Sequence, residues 1–325
     1  MIGFPLNVYL LAFLGAALVS LVSLPFWRDW CQRLGLVDDP GGRKTHDKTI
    51  PLAGGLAVFT GFFFPLLAAV LALKFRLLEF HAVNLISYGF SHRTLQLAAI
   101  LGGAGGMLVL GLVDDRIELR PAVKFSAQFI LAALVAAAGV RITLFVPNLA
   151  FSYAITILWI VTLTNAFNFM DNMNGLCAGL GLISAWFFAL IAAASGQYLV
   201  ALLAFLTTGA LLGFLPYNFP RASAFLGDSG SHLVGFLLSV LAILPHFYTA
   251  QHPRVLATLA PLLILGVTLG DLAWVVLIRW RLGKPFYIGD QNHLSHRLVR
   301  RGLTKPRAVL IIWLLQAVAA ALATW

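Results

Sequence analysis

Charge is what this sequence has least of. Only 10% of its 325 residues are Asp, Glu, Lys or Arg, against about 25% in a typical soluble domain, and 60% are hydrophobic. That balance excludes a soluble enzyme of two ordinary domains, which the length alone would allow. Cysteine is nearly missing too: Cys31 and Cys177 supply neither a disulfide framework nor a zinc spacing. No Lys or Arg precedes Arg28, so the first apolar run lacks the basic start of a signal peptide and reads as a retained span. There is no low-complexity tract, no clear internal repeat, and nothing that suggests nucleic-acid binding.

What is present in abundance is long apolar runs. A membrane-crossing helix needs roughly 20 largely apolar residues. Ten segments qualify: 5–26, 51–73, 94–113, 122–140, 149–164, 175–194, 198–215, 231–247, 255–278 and 307–325. The expected fold is an all-α polytopic membrane protein of about ten transmembrane helices, with residues 1–325 forming one integral-membrane domain. Seventeen of the 22 Lys and Arg fall in the loops after odd-numbered spans. By the positive-inside rule those loops face the cytoplasm and both termini face the periplasm. The net charge of +10 is therefore mainly a topology signal.

The acids say more, because Asp and Glu contribute little to orientation. All twelve except Glu79 lie in or beside cytoplasmic loops, or in the inner half of a span. Five polar stretches share that face. In "LGLVDDRIELRPAVKF", the adjacent Asp114 and Asp115 repel unless a cation or protons intervene. Oxygen-only ligands suit Mg²⁺, although Arg116 and Arg120 could equally neutralise a solvated turn. In "NAFNFMDNMNGL", Asn165, Asn168, Asp171 and Asn174 follow at steps of three, one polar stripe on a helix or 3₁₀ turn. Amides both donate and accept, which fits a nucleotide base, a ribose or a sugar amide; a capped span end is the plainer account.

In "FLGDSGSHLVGF", Asp228 and its small neighbours precede an apolar helix, where free N–H groups make an anion site. Asp228 there either caps the helix or ligates a cation. The loop after the ninth span holds eight basic residues and the pair His293 and His296, on one helical face near Arg297. Phosphate binding fits this set better than zinc, for which no third ligand is spaced correctly. The stretch 38–55 carries Lys44, His46 and Lys48 ahead of Gly54 and Gly55. Asp271, inside the ninth span, is an intramembrane acid and costly without a role or a partner.

These stretches together resemble the polyprenyl-phosphate N-acetylhexosamine-1-phosphate transferases, the family of the MraY- and WecA-type enzymes. "RKTHDKTIPLAGG", "GLVDDR", "NAFNFMDNMNGL", "FLGDSGS" and "HLSHRL" occur in the family's order across nearly the whole chain. The resemblance implies ten transmembrane helices with a cytoplasmic-face active site in a bacterial inner membrane. It implies transfer of a sugar 1-phosphate, GlcNAc-1-phosphate first among candidates, from a UDP-N-acetylhexosamine to a polyprenyl phosphate lipid, with Mg²⁺ or Mn²⁺. By position, Asp228 is then a Mg²⁺ ligand, with Asp171 beside it. Asp114 is similar to the acid that deprotonates or orients the lipid phosphate, and Asp115 supports metal or phosphate. Asn165, Asn168, Asp171 and Asn174 line the nucleotide-sugar side, Lys48 resembles a lysine near the nucleotide, and His293, His296 and Arg297 face the phosphates. Asn174 stands where the family usually has Asp, and "NHLSHR" replaces a run of consecutive histidines, which points to the WecA-like branch. A homodimer is left open. Three rivals remain: a UbiA-like membrane prenyltransferase, which wants more acids than "NFMDNMNG" supplies; a transporter, which wants polar groups through mid-membrane; and a catalytically dead relative, with Asn174 as the lesion.

Overall fold

The computed structural model describes residues 3–39, 49–75, 89–90, 92–143, 146–245, 247, 258–285 and 290–324. Lys44, His46 and Lys48 lie outside them. Helix α1 (Leu6–Leu34) leads into strands β1 (Val37–Asp38) and β2 (Ile50–Pro51) and helix α2 (Gly54–Lys74). Then come α3 (Thr94–Ile117), α4 (Pro121–Ala137), α5 (Leu149–Met170), α6 (Leu176–Ala194), α7 (Tyr198–Phe214) and α8 (Gly227–Ile243). The short α9 (Ala260–Ile264), α10 (Gly266–Arg281), the short α11 (Leu294–Arg300) and α12 (Lys305–Leu322) complete the order. Among the described residues the only strands are β1 and β2, paired antiparallel with Val37 opposite Pro51 and Asp38 opposite Ile50.

The chain is an all-α, multi-pass membrane protein. Seven described helices are long and apolar enough to cross a bilayer, and α4 and α8 are shorter apolar helices of 17 residues each. Large apolar side chains such as Leu11, Phe64, Leu134 and Leu314 remain exposed on the outside of the bundle, as lipid contact requires. Hydroxyls inside the spans are satisfied within their own helices: Thr60, Thr156, Thr164, Thr207 and Thr208 each donate to the carbonyl four residues back.

Several boundaries differ from the apolar runs, and four of the differences bear on the site. α1, α3 and α5 run on to Leu34, Ile117 and Met170, well past the ends expected at 26, 113 and 164. An apolar run marks the hydrocarbon slab, whereas a helix stops only where its own hydrogen bonds stop. Gly35 ends α1 with a left-handed φ of 66°. The expected ninth span, 255–278, is not one helix: it breaks at Leu265 into α9 and α10. The backbone groups freed by the break are taken up by side chains. Ser184 Oγ and Gln316 Nε2 both donate to the Ile264 carbonyl, and Gln316 Oε1 accepts the Val267 N–H at 3.2 Å.

The core centres on α8, in which every residue from Ser229 to Ala242 is buried. Its first turn is wedged between α2 and α3, where only glycine leaves room. A Cβ on Gly111 would lie 2.3 Å from Ser229 Cα, and one on Gly55 would lie 2.5 Å from the Gly230 nitrogen. Backbone bonds hold the approach: Gly54 N–H donates to Phe225 O at 2.9 Å, and Phe225 N–H donates to Pro51 O at 3.0 Å. The start of α8 is thereby fixed against the end of α3.

Candidate active site at the helix ends

α3 ends on the two acids read from the sequence, and they face different partners. Asp115 reaches the start of α8, where Oδ1 accepts the Asp228 N–H at 2.8 Å and Oδ2 the Ser229 N–H at 3.1 Å. A carboxylate here complements the positive end of the helix. This corrects two expectations. The anion site ahead of α8 exists, but the protein's own Asp115 fills it, and Asp228 does not cap its own helix. Asp115 is consequently a positioning group with both oxygens engaged.

Asp114 is buried and turns the other way. Its Oδ1 accepts the Leu119 N–H at 2.8 Å across a turn in which Glu118 adopts a positive φ of 48°. That turn delivers Pro121 to the first position of α4, where its missing N–H costs nothing. Lys124, one turn on, bridges two acids: its Nζ lies 2.6 Å from Asp114 Oδ2 and 3.0 Å from Asp228 Oδ2. Asp228 Oδ1 accepts from Asn168 Nδ2 at 2.7 Å, and the same amide lies 3.0 Å from Ser231 Oγ. His232, four residues after Asp228 on one face of α8, is fully buried, and among the described residues neither ring nitrogen has a hydrogen-bond partner. One ligand atom from each of Asp114, Asp228 and His232 falls within 4.8 Å of the other two.

The amide stripe expected at steps of three does not persist. α5 stops at Met170 and Asp171 is its C-terminal cap, so only Asn165 and Asn168 share a helical face. Asn165 is turned to the neighbouring helix, donating to Gln128 Oε1 at 2.6 Å and to Val161 O at 2.8 Å. Asn174 lies in the following turn, with a 3.4 Å contact from its Nδ2 to Pro220 O. Gly175 completes that turn with a φ of 76°, its N–H bonded to Asn218 Oδ1 at 2.7 Å. Asp171 is different: its carboxylate makes no hydrogen bond among the described residues. Burial, with the charges of Asp228 and Asp115 adding, pushes it up to about 8.

A second group sits on α10 and α11. His293 Nδ1 lies 2.6 Å from Asp271 Oδ2, and Asp271 Oδ1 accepts the Leu294 N–H at 2.6 Å. The costly intramembrane acid thus has a partner, and it fixes the histidine's orientation. The His296 ring centroid is 6.4 Å from that of His293, and burial, then the positive field of His293 and nearby basic residues, lowers its proton affinity. Arg297 stacks over Trp274, with its guanidinium carbon 4.7 Å from the ring centre. Asn172 Oδ1 accepts from Ser295 Oγ at 2.7 Å, and Phe169 meets the His293 ring edge-on, so this group abuts the end of α5.

The described residues therefore bring Asp114, Asp115, Asn168 and Asp228 into one bonded cluster, whose charge is felt by the neighbouring Asp171. His293 and His296 stand in the neighbouring group, while Asn165, Asn174 and Arg297 are directed to protein partners. Lys124 and His232 escaped the sequence reading as site residues. Both lay in stretches already singled out, and the four-residue step from Asp228 to His232 was the signal for one of them. Carboxylate oxygens converging on one point, one carboxylate free of hydrogen bonds and an orphaned buried imidazole are a donor set that fits a divalent cation.

The pattern of glycosyl transferase family 4 matches residues 97–246, the stretch containing every member of the carboxylate cluster. A Bacillus subtilis protein named as a probable undecaprenyl-phosphate N-acetylglucosaminyl 1-phosphate transferase is 34% identical, over 94% of this chain and 81% of its own. The decaprenyl-phosphate N-acetylglucosaminephosphotransferase of Mycobacterium tuberculosis is also 34% identical, over 96% and 81%. The undecaprenyl-phosphate alpha-N-acetylglucosaminyl 1-phosphate transferase of Escherichia coli is 27% identical, over 94% and 80%. With that identity held over nearly its whole length, the chain belongs to glycosyl transferase family 4.

Proposed function

We propose that this protein transfers N-acetylhexosamine 1-phosphate, specifically GlcNAc-1-phosphate, from a UDP-sugar to undecaprenyl or another polyprenyl phosphate. An oxygen of the lipid phosphate attacks the β-phosphorus of the UDP-sugar. The bond from that phosphorus to the oxygen shared with the α-phosphate breaks, and UMP leaves with the oxygen. The observation that carries the reading is the Asp114–Lys124–Asp228–Asn168 cluster at the ends of apolar helices. A lipid phosphate and a nucleotide diphosphate can meet only at such a polar rim of an apolar bundle. The names of the relatives supply the sugar and the lipid class.

Phosphoryl transfer asks little covalent chemistry of a protein, so positioning and charge stabilisation dominate. Asp228 and the unbonded Asp171 would hold Mg²⁺, with Mn²⁺ as the alternative. When bound, the cation neutralises the diphosphate and favours departure of UMP. Asp114 orients the lipid phosphate; a phosphate already largely ionised near neutral pH needs no strong base. Lys124 is poised to move from the carboxylates to a phosphate oxygen. Asn168 keeps Asp228 in place, Asp115 keeps the start of α8 in place, and His293, held by Asp271, faces the diphosphate with His296. The basic loops support a site on the cytoplasmic side, in this reading that of a bacterial inner membrane, where the reaction would be the first membrane step of cell-wall or surface-polysaccharide synthesis.

The test is UMP release by purified protein given undecaprenyl phosphate, Mg²⁺ and a panel of UDP-sugars. UMP with UDP-GlcNAc is the expected result. No UMP from any sugar overturns the proposal.

A further inference from the structure

α8 carries one polar side chain for which the proposed reaction finds no use. His232 lies deep in the bundle at 0% exposure, and neither Nδ1 nor Nε2 has a hydrogen-bond partner among the described residues. A neutral imidazole is always one donor and one acceptor, and burying both unsatisfied is a cost that native structures rarely accept. The ring is not adrift in apolar surroundings, because one of its nitrogens is within 4.8 Å of carboxylate oxygens of both Asp114 and Asp228. Asp228 and His232 are one helical turn apart, the spacing at which two side chains of a helix share a single ion. Lys124 already places positive charge against the same two carboxylates.

We propose that His232 donates an imidazole nitrogen to the cation held at Asp228. The centre is then a mixed nitrogen–oxygen site that favours Mn²⁺ over Mg²⁺. Mg²⁺ takes oxygen ligands and keeps much of its water, so a nitrogen donor adds little to its binding. Transition-metal dications gain more from imidazole, and geometry and ligand type decide between them. The inference rests on the proposed metal dependence and adds to it a ligand and a selectivity. His232 also explains how an apolar helix tolerates a histidine in its second turn, since the cation satisfies one nitrogen of the orphaned ring.

The experiment uses the full-length protein in detergent with Mn²⁺ alone as probe, without substrate. Mn²⁺ binding is followed by loss of the free-ion electron paramagnetic resonance signal, and directly bound nitrogen by electron spin echo envelope modulation. Wild-type protein should show ¹⁴N modulation that converts to the ¹⁵N pattern when histidine is ¹⁵N-labelled, a result independent of any variant. His232→Leu, an apolar replacement inside an apolar helix, should still bind Mn²⁺ but lose the modulation. Its preference for Mn²⁺ over Mg²⁺, read by competition, should fall about tenfold, the usual lower bound for loss of a metal-site partner. His293→Gln should keep the modulation. Absence of nitrogen coupling in wild type, or its persistence in His232→Leu, overturns the inference and leaves the metal reading standing. Mn²⁺ binding that survives unchanged in Asp228→Asn overturns both.

Discussion

Asp115 on α3 and Ser229 on α8 are joined through a carboxylate-to-backbone hydrogen bond of 3.1 Å, while the other Asp115 oxygen takes the Asp228 N–H at 2.8 Å. The acid beside the cluster is therefore a clamp on the helix that presents Asp228. Asp115→Ala should lower stability by about 1.5–3 kcal/mol, the range for hydrogen bonds to a charged group. Activity should fall with it, because Asp228 loses its fixed position. Thermal unfolding of the detergent-solubilised protein checks this. An unchanged midpoint with activity lost would instead put Asp115 in contact with substrate.

In the proposed reaction Asp228 and Asp114 supply the negative charge that a cation and the phosphates meet. Asp228→Ala and Asp114→Asn should each reduce UMP release by at least about 10²-fold, the scale of losing one electrostatic stabiliser. Wild-type rates in either variant remove that residue from the site.

Lys124 competes with a cation for the same two carboxylates. Lys124→Met should tighten binding of a divalent ion about tenfold by removing one nearby positive charge, yet lower turnover. Calorimetric titration set beside UMP release separates the two effects. Weaker ion binding in this variant would show that the lysine organises the acids rather than occupying their site.

Asp171 gives a pH dependence of definite sign. With its carboxyl pushed up from 3.8 to about 8 in the fold, the folded protein holds a proton that the unfolded chain releases between those values. Its contribution favours the fold at low pH and is lost as pH rises through about 8. Metal-free wild type should accordingly lose stability relative to Asp171→Asn as pH rises from about 4 to about 8, the window bounded by the carboxyl's unfolded value of 3.8 and its folded value of about 8. Added Mg²⁺ should stabilise wild type more at pH 8 than at pH 6, because a ligating carboxyl must first be deprotonated. A pH-independent difference between the two proteins would contradict this.

Among the described residues the Asn174 side chain has only the 3.4 Å contact to Pro220 O, and it stands off the face shared by Asn165 and Asn168. Asn174→Asp should change stability by no more than about 0.5 kcal/mol, as at an ordinary surface position, and leave UMP release with UDP-GlcNAc close to wild type. A large gain of activity would mean that the natural amide handicaps the enzyme.

The helices were legible in the sequence because a bilayer imposes one length on every crossing, so apolar runs such as 94–113 and 175–194 could belong to nothing else. Helix ends were less legible, since α5 continues to Met170 on hydrogen bonds that hydropathy does not register. Asp114, Asp228 and Asn168 were recognisable as candidate site residues because polar groups crowded at one face need a reason, and the fold does bring them together. The division of labour between Asp114 and Asp115 was not, because adjacent side chains on a helix point about 100° apart and their partners come from distant parts of the chain. Nor did the sequence reveal that the start of α8 is already occupied by a carboxylate. Likewise, the orphaned nitrogens of His232 are visible only when everything around that ring is in place.

The corner at Leu265 has a consequence for those histidines. A break in a membrane helix is usually a place where two halves can swing, but here a single amide, Gln316 on α12, grips both sides of the gap at Ile264 and Val267. The joint behaves as a welded elbow. α10 leaves it at a set angle, and Asp271, little more than one turn along, holds His293 from a fixed foundation. Gln316, on the last described helix and outside the carboxylate cluster, thus sets the aim of the His293 imidazole.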